Sequence, residues 1–335
     1  MNFSDSELLH LIATEDSAET EELFALARRA REEHYGKSVY FRGLVEFTNY
    51  CKNDCYYCGI RRSNKNLERF RLSLDGILEC CRTGCGLGYN TFVLQGGEDP
   101  WFTDEKIAEI VSAIRREFPG RAITLSAGER SRRGYELFFR AGANRYLLRH
   151  ETASGDHYAK LHPPQMSHAA RLRCLRELKD IGFQVGAGFM VGSPWQTPQN
   201  LLADLRFMEQ LQPHMAGIGP FIPQKDTPFG GEPSGGLNLS LKMVALARIL
   251  LPKALIPATT ALGSIAPDGR ELALKAGANV LMPNLSPPAA RKLYAIYDNK
   301  TGAGDDAAEN LSRLQEMVRR AGCLPDMGRG DAATC

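Results

Sequence analysis

The chain has 335 residues, 43% of them hydrophobic and 24% charged, the make-up of an ordinary globular protein rather than a disordered or fibrous one. A formal net charge of +2 with no polybasic run argues against nucleic acid or an anionic lipid surface as partner. The N-terminus, MNFSDSELLHL, is acidic and lacks an apolar signal segment, and the most apolar stretch, 243–257, is interrupted by Arg248 and Lys253 and is too short to cross a bilayer. No membrane association is expected, and the expected location is cytoplasmic.

In chain order, residues 4–12 (SDSELLHLI) and 20–36 (TEELFALARRAREEHYG) read as two short helices, with Leu23, Ala25, Leu26 and Ala30 as the apolar stripe of the second. From residue 38 the rhythm changes to short strand-like runs: SVYFRGLVEF, NTFVLQGG, AITLSAG, RYLLRHET, QVGAGFMVG, MAGIGPFIP, LIPATTALG and ANVLMPN. Amphipathic helical segments lie between them, among them TDEKIAEIVSAIRREF, SHAARLRCLRELKDIG and PQNLLADLRFMEQL. Parallel strands need crossover helices, so this alternation predicts an α/β fold, a complete (β/α)8 TIM barrel over 38–300. A helical extension (1–37) precedes it, and a C-terminal helix and tail (301–335) follow. TGAGDDAA from residue 301 is of low complexity, a polar tail follows Pro325, and that tail, with Cys335 at its end, is expected to be disordered.

The strand ends read TNYC, QGGE, SAGE, RHET, MVGSP, GPFIP, TTALG and MPN. Barrel enzymes place their chemistry at these C-terminal ends. Polar, ionisable and glycine residues collect there, so the eight ends are expected to share one mouth.

Three of the nine cysteines fall within eight residues directly after the first strand: Cys51, Cys55 and Cys58, in CKNDCYYC. A structural zinc normally takes four protein ligands, and no fourth Cys or His lies at ribbon or finger spacing. Three thiolates on one tight loop suit an iron–sulfur cubane with one iron left open to chelate a ligand. Cys80, Cys81, Cys85 and Cys174 fall in helical patterns and are expected to be small buried hydrophobes, although Cys81 and Cys85 are close enough to share a metal.

C-x3-C-x2-C with an aromatic residue, Tyr57, before the last cysteine resembles the signature of the radical S-adenosylmethionine (SAM) superfamily. Within it, YCGIRRSNKNLERFR, VLQGGEDP, RYLLRHETA, GIGPFIPQKDTP, LKMVALARILLP, IPATTALG and ANVLMPN resemble the HydE family of FeFe-hydrogenase maturases, relatives of biotin synthase and methylornithine synthase. The resemblance runs from about residue 38 to residue 300. It implies a barrel of radical SAM type, one 4Fe–4S cluster on the three cysteines, and reductive cleavage of SAM to a 5′-deoxyadenosyl radical. It also implies a small iron carbonyl/cyanide cysteine complex or an amino-acid-like molecule as substrate, other hydrogenase maturation proteins as partners, and an electron donor such as ferredoxin or flavodoxin.

The resemblance further implies site roles. Gly96, Gly97 and Glu98 match the motif that meets the methionyl amino group of SAM. Glu151 matches the acid that takes the ribose hydroxyls, and Arg171 the arginine on the carboxylate; Tyr57 and Ser126 complete the cofactor-binding set. Arg149, Thr259, Thr260 and Tyr294 are the candidate catalytic residues, and Arg42, Thr124, Met215 and Met282 the candidate substrate-cavity residues. Strand parity puts Arg149 with Glu151, and Thr124 with Ser126, on common faces. Thr259 and Thr260 are consecutive, so one of them at most points straight inward unless the strand is bulged. His150 lies between Arg149 and Glu151 and is expected to be structural.

Some members of the family hold a second cluster on three cysteines near the C-terminus. KTGAGDDAAENLSRLQEM has none and Cys323 follows alone, so no second cluster is expected. A biotin synthase would need a cluster-binding cysteine set on strands 3 and 5 and an arginine on strand 7, which AITLSAG, QVGAGFMVG and IPATTALG lack. A methylornithine synthase-like mutase and a non-catalytic iron-precursor scaffold stay open as alternatives.

Overall fold

The computed structural model describes residues 3–301 and 307–333. Two helices open the chain, Asp5–Ala13 and Ser17–Tyr35. The first starts in a capping box, Ser4 and Glu7 satisfying each other's backbone N–H groups. The line that the second helix buries is Thr20, Leu23, Ala27 and Arg31, not the Leu23, Ala25, Leu26 and Ala30 stripe expected from hydropathy. The difference comes from Arg31, which is buried because it donates to the Leu274 carbonyl at 2.8 Å.

The strands are β1 (Ser38–Phe41), β2 (Gly43–Thr48), β3 (Thr91–Gly96), β4 (Ala122–Ser126), β5 (Arg145–Leu147), β6 (Gln184–Ala187), β7 (Met190–Val191), β8 (Met215–Ala216), β9 (Gly219–Pro220), β10 (Val280–Leu281) and β11 (Leu324–Asp326). The central sheet has six parallel strands in the order β2-β3-β4-β5-β6-β8. β1, which continues into β2 through Arg42, pairs with β10 on one side and β11 on the other. Parallel bridges Met215–Leu255, Pro257–Val280 and Leu44–Asn284 carry the pairing on from β8 and back to β2.

Helices cover the sheet between successive strands, and Asp104–Glu117 shows why. Thr103 caps it, Asp104 and Glu105 lie in its first turn, Arg115 and Arg116 in its last, and Ile107, Ile110, Val111 and Ile114 form the buried face. Sheet and helices share one large apolar core. Cys80, Cys81 and Cys174 are buried in helices and Cys85 is half-buried, none in a disulfide. Among the described residues, no helix is long and apolar enough to cross a membrane.

Two expectations need correction. The run 255–263 is not one strand: only bridges form at Leu255 and Pro257, and Thr259 caps a helix Thr260–Ile265. A β-branched Thr-Thr pair favours a strand, but a threonine hydroxyl also makes a good helix cap, and the cap prevails. The polar tail is also not loose as far as Ala333. After β11 it crosses the N-terminal ends of the strands, where Arg145 donates to Asp331 at 2.6 Å and to the Arg329 carbonyl at 2.9 Å. Arg42 donates to the Gly330 carbonyl at 3.1 Å and Thr91 to that of Arg329 at 2.8 Å. Cys335 lies outside the described residues.

Candidate active site

The loop after β2 is built around side chains that satisfy its backbone. Arg69 donates to the carbonyls of Asn49, Ile60, Arg61 and Asn64, and Asn49 donates to those of Glu68 and Leu293. Asp54 takes Arg61 at 2.7 Å and the Ser63 hydroxyl at 2.7 Å, and the Arg61 contact holds its carboxyl below the usual range. A turn with this many internal bonds is held before any ligand arrives, so its thiols need little reordering to bind one.

Cys51, Cys55 and Cys58 line one cavity of about 310 Å³ at the C-terminal ends of the strands. Burial pushes all three thiols up, Cys58 to about 12. Among the described residues, no three His, Cys, Asp or Glu side chains close around a point as a single-ion cage would. Three thiols from one loop that share a cavity wall fit a multi-iron cluster.

Tyr57, Gly96, Gly97, Glu98, Ser126, Arg149, Glu151, Arg171, Thr259 and Tyr294 line the same cavity. Two glycines set the spacing of its wall. A Cβ on Gly97 would stand 2.2 Å from the Tyr50 carbonyl oxygen, so only glycine lets the strand end press against the cysteine loop. Gly128 has φ +75°, and a Cβ there would lie 1.9 Å from Glu98 Cγ. Glu98 is thereby held against its neighbours: it accepts the Glu129 N–H at 2.8 Å and pairs with Lys52 at 3.2 Å.

Arg171 is buried. Its Nε donates to Glu129 at 2.5 Å, its Nη1 to the Arg149 carbonyl at 2.7 Å, and its Nη2 stands 4.0 Å from Glu98. Desolvation alone would depress the guanidinium, but Tyr158, Glu129 and Glu98 outweigh it and keep the group firmly charged. Arg149 Nη2 lies 3.3 Å from Glu151 Oε2, although strand alternation does not bring them together: β5 ends at Leu147 and Glu151 is left-handed, with φ +67°. Arg149 Nε and Nη2 and Glu151 Oε2 are buried without an aligned hydrogen bond. A buried ion pair without aligned hydrogen bonds is costly, so the pair marks a polar spot in an otherwise packed wall.

The remaining sequence candidates lie elsewhere. Thr260 and Met282 line a separate cavity of about 30 Å³, Thr260 because the helix that it enters turns it away from Thr259. Thr124 is buried with an unpartnered hydroxyl. Met215 accepts from Arg42 at 3.1 Å. These last three stand outside the lining of the mouth cavity. Sequence reasoning misses Glu129, the carboxylate that anchors Arg171, although it stands in the strand end SAGE. It also misses Tyr297 and Gln95 in the lining.

Residues 45–208 match the family model described as the radical SAM superfamily. The chain is 45% identical over 323 residues to the [FeFe] hydrogenase maturase subunit HydE of Thermotoga maritima, covering 96% of this chain and 92% of the relative. This chain belongs to the radical SAM superfamily. It is also 31% identical to the 3-methylornithine synthase of Methanosarcina barkeri, over 95% of this chain and 88% of that one. A crystal structure of methylornithine synthase superposes with a TM-score of 0.86 at 29% identity, over 97% of this chain and 95% of that one. As a radical SAM enzyme the chain uses a 4Fe–4S cluster and SAM.

Proposed function

We propose that this radical SAM enzyme acts in assembling the di-iron cofactor of FeFe-hydrogenase, on a small iron carbonyl/cyanide cysteine complex. The observation that carries the proposal is the 45% identity to a HydE maturase along almost the whole of both chains. In this reading Cys51, Cys55 and Cys58 hold one 4Fe–4S cluster. When bound and reduced there, the cluster supplies the electron that splits the SAM sulfonium into methionine and a 5′-deoxyadenosyl radical.

The protein's own part is binding and orientation. The Gly96–Glu98 edge accepts the methionyl ammonium, and Arg171 Nη2, its other nitrogens already committed, takes the carboxylate. Glu151 accepts the ribose hydroxyls, and Tyr57 and Ser126 close the SAM site. Arg149, Thr259 and Tyr294 line the substrate side, where a guanidinium suits an anionic ligand.

The parallel bridges at Leu255, Pro257, Val280 and Asn284 support a sheet closed into a full (β/α)8 barrel. A single cluster is part of the same reading. Exposed Arg62 and Lys65 beside the cysteine loop suit an acidic donor such as ferredoxin or flavodoxin. Free thiols and a reducible cluster fit the reducing cytoplasm.

A maturation assay tests the function. Replacing HydE by this chain in a reconstituted three-maturase system should yield active hydrogenase. Inactive hydrogenase together with formation of 3-methylornithine would move the assignment to the second reading, a mutase, which the 0.86 TM-score favours.

A further inference from the structure

Glu151 has a backbone φ of +67°, the left-handed region that residues with a Cβ rarely adopt. Such a conformation persists only where its surroundings over-determine it. The flanking residues His150 and Thr152 are both fully buried. Beneath them lies Asp204, on helix Pro198–Leu211, with 0% exposure.

Among the described residues, the hydrogen bond and the close ion contact of the Asp204 carboxyl both go to the turn that carries Glu151. Its Oδ1 accepts the Ala153 N–H and stands 3.3 Å from His150 Nε2, while Oδ2 has no hydrogen-bond partner. His150 Nδ1 accepts the Gly188 N–H at 3.3 Å, so its ring proton sits on Nε2, which lies close to Asp204 Oδ1 without an aligned hydrogen bond. His168 Nε2 meets the Thr152 carbonyl at 3.1 Å. The backbone adds Glu151 N–H to the Gly188 carbonyl at 3.1 Å and Met190 N–H to the Glu151 carbonyl at 3.2 Å.

Burial pushes the Asp204 carboxyl up, and among the described residues no Lys or Arg pairs with it, so an apolar residue would cover the same surface more cheaply. What the carboxylate adds is direction: it fixes the residues on both sides of Glu151 from one helix.

We propose that Asp204 and His150 are positioning residues that hold the left-handed turn at Glu151 and so aim its carboxylate at the SAM ribose. The proposal rests on the reading of Glu151 as the ribose ligand. Neither residue touches the cavity, so both act only through Glu151.

The test uses full-length, anaerobically reconstituted enzyme and the SAM dissociation constant, with iron content and methionine affinity as controls because methionine has no ribose. Asp204→Leu should weaken SAM at least tenfold while iron and methionine affinity stay unchanged. Asp204→Asn keeps the acceptor oxygen and should stay within threefold of the parent. His150→Phe keeps a ring among Phe189 and Phe207, loses both nitrogen contacts, and should weaken SAM at least fivefold. In a Glu151→Gln background, Asp204→Leu should add less than threefold, since the residue that it positions is already disabled.

Asp204→Leu or His150→Phe at parental SAM affinity would overturn the proposal. So would an Asp204→Leu effect of undiminished size in the Glu151→Gln background, or equal losses of SAM and methionine binding. If Asp204→Leu loses its iron, His150→Phe and Asp204→Asn decide the matter by the same criteria. Unchanged SAM affinity in Glu151→Gln alone would instead defeat the ribose assignment on which the proposal rests.

Discussion

Arg171 Nε lies 2.5 Å from Glu129 Oε1, and that contact joins the helix His168–Ile181 to the loop after β4. The same guanidinium reaches the Arg149 carbonyl and comes within 4.0 Å of Glu98, so one side chain braces three loops of the mouth. Arg171→Ala should therefore weaken SAM binding by roughly 1.5–3 kcal/mol, the worth of a charge-assisted contact, with iron content intact. Glu151→Gln should do the same. Titration of SAM into both variants checks this, and unchanged affinity in both would displace the SAM site from this cavity.

Gly128→Ala tests how tightly Glu98 is held. The new methyl would meet Glu98 Cγ at 1.9 Å in a residue already at φ +75°. Displacing Glu98 should lower SAM affinity at least tenfold, and the left-handed alanine should cost about 1–2 kcal/mol of stability. A Gly128→Ala protein with parental SAM affinity and thermal midpoint would show that Glu98 moves freely.

The floor of the sheet predicts a pH dependence. Burial tends to raise the Asp331 carboxyl, but hydrogen bonds from Arg329 and Arg145 outweigh it and leave it below its ordinary value of 3.8. A carboxyl depressed in the folded state contributes stability in full above its unfolded value, and the contribution fades as pH falls through the folded one. Asp331→Asn should cost roughly 2 kcal/mol at pH 7, less than the ~3–5 of a fully buried pair because Asp331 is 39% exposed and screened. Thermal midpoints of the two proteins should differ by a constant amount from pH 7 to about 4.5 and converge only below that. Convergence near pH 6 would assign the contribution to another group.

Much of the site was legible because its motifs are local. Three cysteines in eight residues, a glycine pair before Glu98 and Arg149 two positions from Glu151 need no tertiary information to be found. Side chains whose role is set by distant partners were not legible. Thr259 and Thr260 differ in surroundings because a helix begins between them, which β-branched residues in a strand-like run conceal. The ordering of the tail depends on Arg42 and Arg145, well over a hundred residues away. Asp204 did leave a signal: it falls three residues after Leu201 and four before Met208, a charged residue on the apolar stripe of its own helix.

The single-cluster reading predicts that the enzyme saturates at about four irons per chain. A variant lacking Cys51, Cys55 and Cys58 together should carry essentially no iron. Sulfide-bearing iron in that triple variant would reveal a second cluster, with Cys81 and Cys85 the first residues to replace.

The most direct test of the whole account is SAM cleavage itself. Anaerobically reconstituted enzyme with dithionite and SAM should release 5′-deoxyadenosine, and Cys51→Ala, Cys55→Ala and Cys58→Ala should each release none. Sustained 5′-deoxyadenosine formation by any of the three variants, or its absence from the iron-loaded parent, would contradict the account.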